Sequence, residues 1–283
     1  MTTTTTTKIA AVREAVAAAK SEGKRVALVP TMGALHDGHL ALVARAREVA
    51  ELVVVSVFVN PLQFGPKEDF ARYPRDLDAD LALLSSAGAD VLFAPDASEL
   101  LPEGRTSTRV VAGPVGGVLE GRVRPGHFDG VLTIVLKLLH VVGPDVAVFG
   151  QKDAQQVFLV GRMIRDLDVP VALEVVDTVR EADGLARSSR NAYLAPDERV
   201  LARAVPAALD AAESSADGDV DAMVAAAQSA LAGEDGADLE YLAVVDPATF
   251  RPVDDGYRGR ALVLVAARVG GTRLIDNRFV HLG

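Results

Sequence analysis

The chain has 283 residues, 49% of them hydrophobic, and a formal net charge of −10. Such a length admits two domains with substantial cores, and such acidity argues against a general nucleic-acid binder, which would show a basic stripe, though not against a small anionic substrate. The lack of any cysteine excludes disulfides and thiolate metal sites and is compatible with a reducing cytoplasm.

Residues 1–7, Met1 and six threonines, are of low complexity and read as disordered; they have neither the basic start nor the apolar core of a signal peptide. From there, helical patterns at residues 8–21, 39–50, 76–87, 131–142 and 154–167 alternate with apolar runs at 26–29, 52–59, 91–94, 146–149 and 171–176. The run at 52–59 is almost wholly apolar, as a strand covered on both faces should be. The β-α-β-α order predicts a parallel sheet between helices, with ligands bound beyond the carboxyl ends of the strands. No membrane span is expected: the most apolar stretch, 131–142, is too short and contains Lys137 and His140. After residue 178 the pattern changes to Ala-rich helices at 196–214 and 220–231, parted by a turn-rich break at 214–218, and strands at 239–245 and 261–269. This predicts two domains, 1–178 and a smaller α+β domain at 179–283.

The polar clusters fall at predicted strand ends. Pro30-Thr31-Met32-Gly33-Ala34-Leu35-His36-Asp37-Gly38-His39 follows the first run and leads into a helix. A helix start offers unpaired N–H groups and partial positive charge, which suit phosphate. Gly38, between two imidazoles, allows a base or phosphate close to the backbone. Gly33 and Gly38 have P-loop spacing, but His39 and Leu40 stand where lysine and Ser/Thr should follow. A zinc pair is disfavoured too, for want of cysteine or H-E-x-x-H. His36-Asp37-Gly38-His39 resembles the H-x-G-H signature of nucleotidyltransferases and class I aminoacyl-tRNA synthetases.

Lys152, in Phe149-Gly150-Gln151-Lys152-Asp153, is a phosphate partner or a solvated lysine. Ser188-Ser189-Arg190-Asn191 is a phosphate clamp or a polar cap. Gln63, Gln155 and Gln156 could orient hydroxyls and a carboxylate without added charge, or could cap helices. The basic loop at 122–128 is an anion contact or a solvated turn, and His140 and His281 read as structural or surface residues.

Together, Pro30 to His39, Phe58-Val59-Asn60-Pro61-Leu62-Gln63-Phe64-Gly65, Tyr73-Pro74-Arg75, the Phe149 to Asp153 block, and Asp183-Gly184-Leu185-Ala186-Arg187-Ser188-Ser189-Arg190-Asn191 resemble, in that order, the pantothenate synthetases. The resemblance spans nearly the whole chain from Lys8. It implies an α/β fold: a Rossmann-like parallel sheet of the nucleotidyltransferase type with a smaller α+β C-terminal lid domain. The implied activity is an ATP-dependent ligation of pantoate to β-alanine through a pantoyl adenylate, by a cytoplasmic homodimer using Mg2+. His36, His39, Lys152, Ser188, Ser189 and Arg190 would contact the ATP phosphates or the transition state. Met32, Gly38, Gly150, Asp153 and Val179 would complete the ATP site. Gln63 and Gln156 would hold pantoate, and Tyr73 would lie near the amine channel. Asp80 matches a position that in relatives can help coordinate magnesium, but its acidic neighbour in some of them is Ala79 here. Relatives often carry Met or Leu where this chain has Arg187. The competing classes are a nucleotidyltransferase with a phosphate acceptor and a non-catalytic nucleotide-binding module.

Overall fold

The alternating pattern takes shape in a computed structural model that describes residues 3–66, 68–104, 106–232 and 236–283. The chain divides into two units, residues 1–150 with 155–176, and residues 151–154 with 177–283. No described helix is long and apolar enough to cross a membrane.

The first unit contains, in chain order, β1 (Thr4–Thr6), α1 (Ile9–Ser21), β2 (Val26–Thr31), α2 (Asp37–Val49), β3 (Leu52–Val57), α3 (Leu77–Ala87), β4 (Val91–Phe93), α4 (Ala97–Leu100), α5 (Glu120–Val123), α6 (His127–Val142), β5 (Val146–Gly150), α7 (Ala154–Asp166) and β6 (Ala172–Val176). The strands form one parallel sheet in the order β1-β4-β3-β2-β5-β6. Side chains alternate between two buried layers. Val26, Leu28, Val54 and Phe149 join the layer of α1 and α6, while Ala27, Val29, Val53, Val55 and Val148 join that of α2 and α3. Full burial of each such valine stabilises by roughly 2 kcal/mol, which is why the strands need no polar face.

Strand order reverses between β2 and β5, the place where open α/β sheets bind ligands. Pro30 marks it. Val26 sends both its N–H and its C=O toward the β5 side, bonded to Asp145. Period-two alternation puts Pro30 on that same side. Residue pairing of β2 with β5 covers only Ala27↔Val146 and Leu28↔Ala147, so it has ended before Pro30, whose missing N–H costs no ladder bond.

The threonine run corrects one expectation. Met1 and Thr2 lie outside the described residues, but Thr4–Thr6 pairs in parallel with β4, and the buried Thr3 donates Oγ1–H to Ala89 O at 2.8 Å. Threonine is β-branched and suits an edge strand once a template is present.

The second unit holds α8 (Pro196–Leu201), α9 (Ala204–Ser214), α10 (Val220–Ala232) and an antiparallel sheet of β7 (Ala237–Val245), β8 (Gly259–Val269) and β9 (Thr272–Leu282). Its core packs Val205, Leu209, Met223 and Leu231 from the helices against Val263, Val265 and Val280. The single helix expected over 196–214 is broken at residues 202–203. Pro206 has no N–H to continue a helix from Ala202 and its ring would crowd that carbonyl, so the chain restarts with proline in the first turn of α9.

Candidate active site

In the first unit, the loop from β2 to α2 is built by its own backbone demands. Gly33 has φ +82°, and an added Cβ would stand 2.8 Å from Asp80 Oδ2, so glycine is required twice over. Thr31 Oγ1 donates to Ser56 O at 2.8 Å and accepts the Gly33 N–H at 3.2 Å. Asp80, buried on α3, accepts from Ala34 N–H at 3.1 Å and from Leu35 N–H at 2.8 Å. Burial pushes its carboxyl above the usual range, and Asp76 adds to this, against the pull of the two amides. Asp80, expected as a possible metal contact, anchors the loop: each of its two oxygens accepts one backbone N–H. Among the described residues no group of three or more His, Asp or Glu is placed to hold a metal.

His36 is the N-cap of α2, and its Nδ1 accepts the Gly38 N–H at 3.1 Å. His39 Nδ1 accepts the His36 N–H at 3.3 Å, a reciprocal capping box made of two imidazoles. Their rings lie 4.2 Å apart, tilted by 41°. An acceptor Nδ1 puts the proton of each ring on Nε2. A helix start with its dipole suits an anion at this place.

The loop after β3 meets the same loop. Gln63 Nε2 donates to Met32 Sδ at 3.0 Å, and its Oε1 accepts from Asn60 Nδ2 at 2.9 Å. The buried Asn60 also donates to Gly130 O at 3.1 Å. α6 passes so close that a Cβ at Gly130 would fall 2.2 Å from Leu62 O. Gln63 O accepts from His127 Nδ1 at 2.8 Å and from Arg124 Nη2 at 3.3 Å. Arg124 Nη1 donates to His127 Nε2 at 3.0 Å, and Nη2 pairs with Glu68 at 2.5 Å. Burial, then the Arg124 charge, lowers the His127 ring to about 4. Burial raises the Glu68 carboxyl, but Arg124 outweighs it and leaves the net below the ordinary value.

Gly150 closes β5, and Gln156 is half-buried in the first turn of α7. Tyr73 is buried, its ring edge-on to Phe64 at 6.1 Å, and its carbonyl accepts from Arg75. Gln155 is spent on structure: Oε1 accepts Glu120 N–H, and Nε2 donates to Val115 O and Val118 O.

Lys152 and Asp153 belong to the second unit. Lys152 is largely covered, with 20% side-chain exposure, and its Nζ lies 3.9 Å from the exposed carboxylate of Asp153. Ser188 caps the turn Ser189–Tyr193, its Oγ accepting Arg190 N–H at 3.2 Å. Val179 O accepts Arg187 N–H at 2.8 Å, and Arg187 lies 3.7 Å from Glu181.

A family model described as pantoate-beta-alanine ligase matches residues 4–279. The chain belongs to that family. It is 57% identical over 272 residues to a pantothenate synthetase of Leifsonia xyli, covering 95% of this chain and 94% of that one. It is 54% identical over 276 residues to that of Agrobacterium fabrum, covering 96% and 94%. The fold matches the crystal structure of pantothenate synthetase from Thermus thermophilus with a TM-score of 0.91 at 50% identity, covering 97% of this chain and 98% of the other. It also matches a pantoate-beta-alanine ligase from Francisella tularensis, complexed with beta-gamma ATP and beta-alanine, with a TM-score of 0.79 at 32% identity, covering 98% and 97%. This member of the family is thus an ATP-dependent ligase, as the five sequence blocks implied.

Two groups escaped the sequence. Glu68 was not singled out, and Arg124 and His127 lay in a loop read as an anion contact or a solvated turn, although an Arg three residues before a His at a helix start was a usable hint. Arg180, Asp276 and Asn277 gave no signal, since the strand carrying the last two was not foreseen.

Proposed function

We propose that the chain condenses pantoate with β-alanine in two steps, through pantoyl adenylate, with the residues in the roles that the family resemblance implies. Oxide is too poor a leaving group for direct amide formation from a carboxylate. In the first step the pantoate carboxylate oxygen attacks the α-phosphorus of ATP, the bond to the β-phosphate oxygen breaks, and pyrophosphate leaves. In the second the neutral amine of β-alanine attacks the acyl carbon, AMP leaves, and the nitrogen gives up a proton.

The observation that carries this reading is the pair of imidazoles that cap α2 reciprocally through Nδ1, directly after the loop that leaves β2. The first step sets an anion against a polyanion, and fixed donors that need no reorganisation lower its barrier most. His36, His39, Gly38 and the start of α2 would serve the phosphates, with Lys152, Ser188, Ser189 and Arg190 supplying hydroxyls and cations. Met32, Gly150, Asp153 and Val179 complete the ATP site in this reading. Gln63, oriented by Asn60 and Met32, and Gln156 would hold pantoate by neutral hydrogen bonds, with Tyr73 near the amine's path. Magnesium would enter with the triphosphate, since hard cations readily bind through substrate phosphates, and Asp80, which accepts one backbone N–H on each oxygen, is the carboxylate nearest in role to a protein ligand in this reading.

A lid role for the second domain, a homodimer and a cytoplasmic setting belong to the same proposal; light scattering tests the dimer. Pantoate-dependent exchange of labelled pyrophosphate into ATP, without β-alanine, tests the mechanism. Exchange is expected. AMP formation only when all three substrates are present, with no exchange, would rule out the two-step route.

A further inference from the structure

The carboxyl-terminal strand β9 carries two adjacent buried polar residues, Asp276 and Asn277, and both are spent on segments that hold predicted phosphate contacts. Asn277 Nδ2 donates to Gln151 O and to Lys152 O, each at 2.9 Å. Its Oδ1 accepts from Gln151 Nε2 at 3.1 Å. One primary amide thus uses both donors and an acceptor on the two residues that lead to the Lys152 side chain. Its own backbone is fixed in turn: Asn277 N–H donates to Asp276 Oδ1 at 2.7 Å. Asp276, fully buried, receives both arms of the Arg180 guanidinium, at 2.6 and 3.1 Å.

Arg180 extends the same network. Its Nη1 reaches Gly184 O at 3.0 Å, and residue 180 bridges to Ala186, just before Ser188, Ser189 and Arg190. A planar fork that binds a carboxylate and a carbonyl together holds its neighbours in one arrangement. The corner at 276–277 is thereby a common mount for the Lys152 segment and the Ser188 to Arg190 segment, within the second unit.

We propose that Asn277 is a positioning residue for Lys152: it sets where the ammonium stands during adenylation without touching substrate. The proposal rests on Lys152 acting on the phosphates in that step. A long, flexible side chain is an effective charge donor only if its Cα is fixed, and a displacement near 1 Å costs up to ~100-fold in rate.

The test is a double-mutant cycle on the single-turnover rate of pantoyl adenylate formation. Asn277→Asp keeps the volume but, ionised, has no N–H for the two carbonyls. It should slow adenylation between ~10-fold and ~100-fold, while attack of β-alanine on pre-formed pantoyl adenylate keeps its rate. Lys152→Ala with Asn277→Asp should be no slower than Lys152→Ala alone. Additive losses, or equal slowing of both half-reactions, would overturn the proposal. If Lys152→Ala alone leaves adenylation unchanged, the phosphate role of Lys152 has failed first, and the positioning role falls with it. Should Asn277→Asp not fold, Gln151→Leu removes only the amide that orients Asn277, and it must show the same coupling to Lys152 at smaller size. Independence of Lys152 in that variant would refute the proposal.

Discussion

Acid should weaken the first unit through one ring, that of His127. The neutral imidazole donates Nδ1–H to Gln63 O and accepts from Arg124 with Nε2. Protonation would set an Nε2–H against the guanidinium in a buried place. The folded ring titrates at about 4, against 6.5 for an ordinary one. In the unfolded chain the ring therefore takes its proton first as the pH falls. The unfolded state binds more protons between those values, so stability is complete above about 6.5 and is lost as the pH falls toward about 4. At about 1.4 kcal/mol per pH unit the whole window is worth about 3 kcal/mol. His127→Asn removes this dependence. Urea unfolding of parent and variant from pH 7.5 to pH 4 should show the variant less stable at the upper end and the two curves converging by about 3 kcal/mol. Parallel curves, or a ring that nuclear magnetic resonance finds titrating near 6.5, would refute the argument.

Gly130→Ala should reverse the usual helix preference for alanine: the Cβ would meet Leu62 O at 2.2 Å, so we expect a loss of ~1–3 kcal/mol in thermal unfolding and a raised KM for pantoate. Gln63→Ala and Gln156→Ala should weaken pantoate binding far more than ATP binding in calorimetric titrations; a loss confined to ATP would remove both from the pantoate site. Arg187, paired with Glu181 and partly exposed, should tolerate Arg187→Met with less than a ~10-fold change in ATP affinity, whereas Arg190→Ala should cost clearly more. ATP titration of both variants at matched ionic strength decides, and equal losses would put Arg187 in the phosphate site.

Period and punctuation made most of the first sheet legible. The runs at 26–29, 52–59 and 146–149 became β2, β3 and β5 because strands buried on both faces carry few polar residues to disguise them. β1 was hidden because a threonine run carries no pattern, and its pairing partner lies 86 residues away at the Thr3 to Ala89 bond. β9 was hidden because Arg273, Asp276, Asn277 and Arg278 interrupt its apolar residues. Yet Gly270-Gly271 between Val269 and Thr272 was a two-residue hairpin signal. Motif spacing singled out His36, His39 and Gln63 as candidates. It could not show that Asp80 faces backbone amides 45 and 46 residues away, nor that Asn277 reaches back 125 residues to Lys152. Long-range polar partners leave no periodic trace.

Pro30 bears on how the first unit meets a ligand. A residue with an amide hydrogen at that place could close on β5 in the empty protein, and a ligand would have to break that bond on entry. Proline removes that option chemically, since β2 offers no N–H at this position to close on β5. A ligand entering at that place would have no such bond to displace.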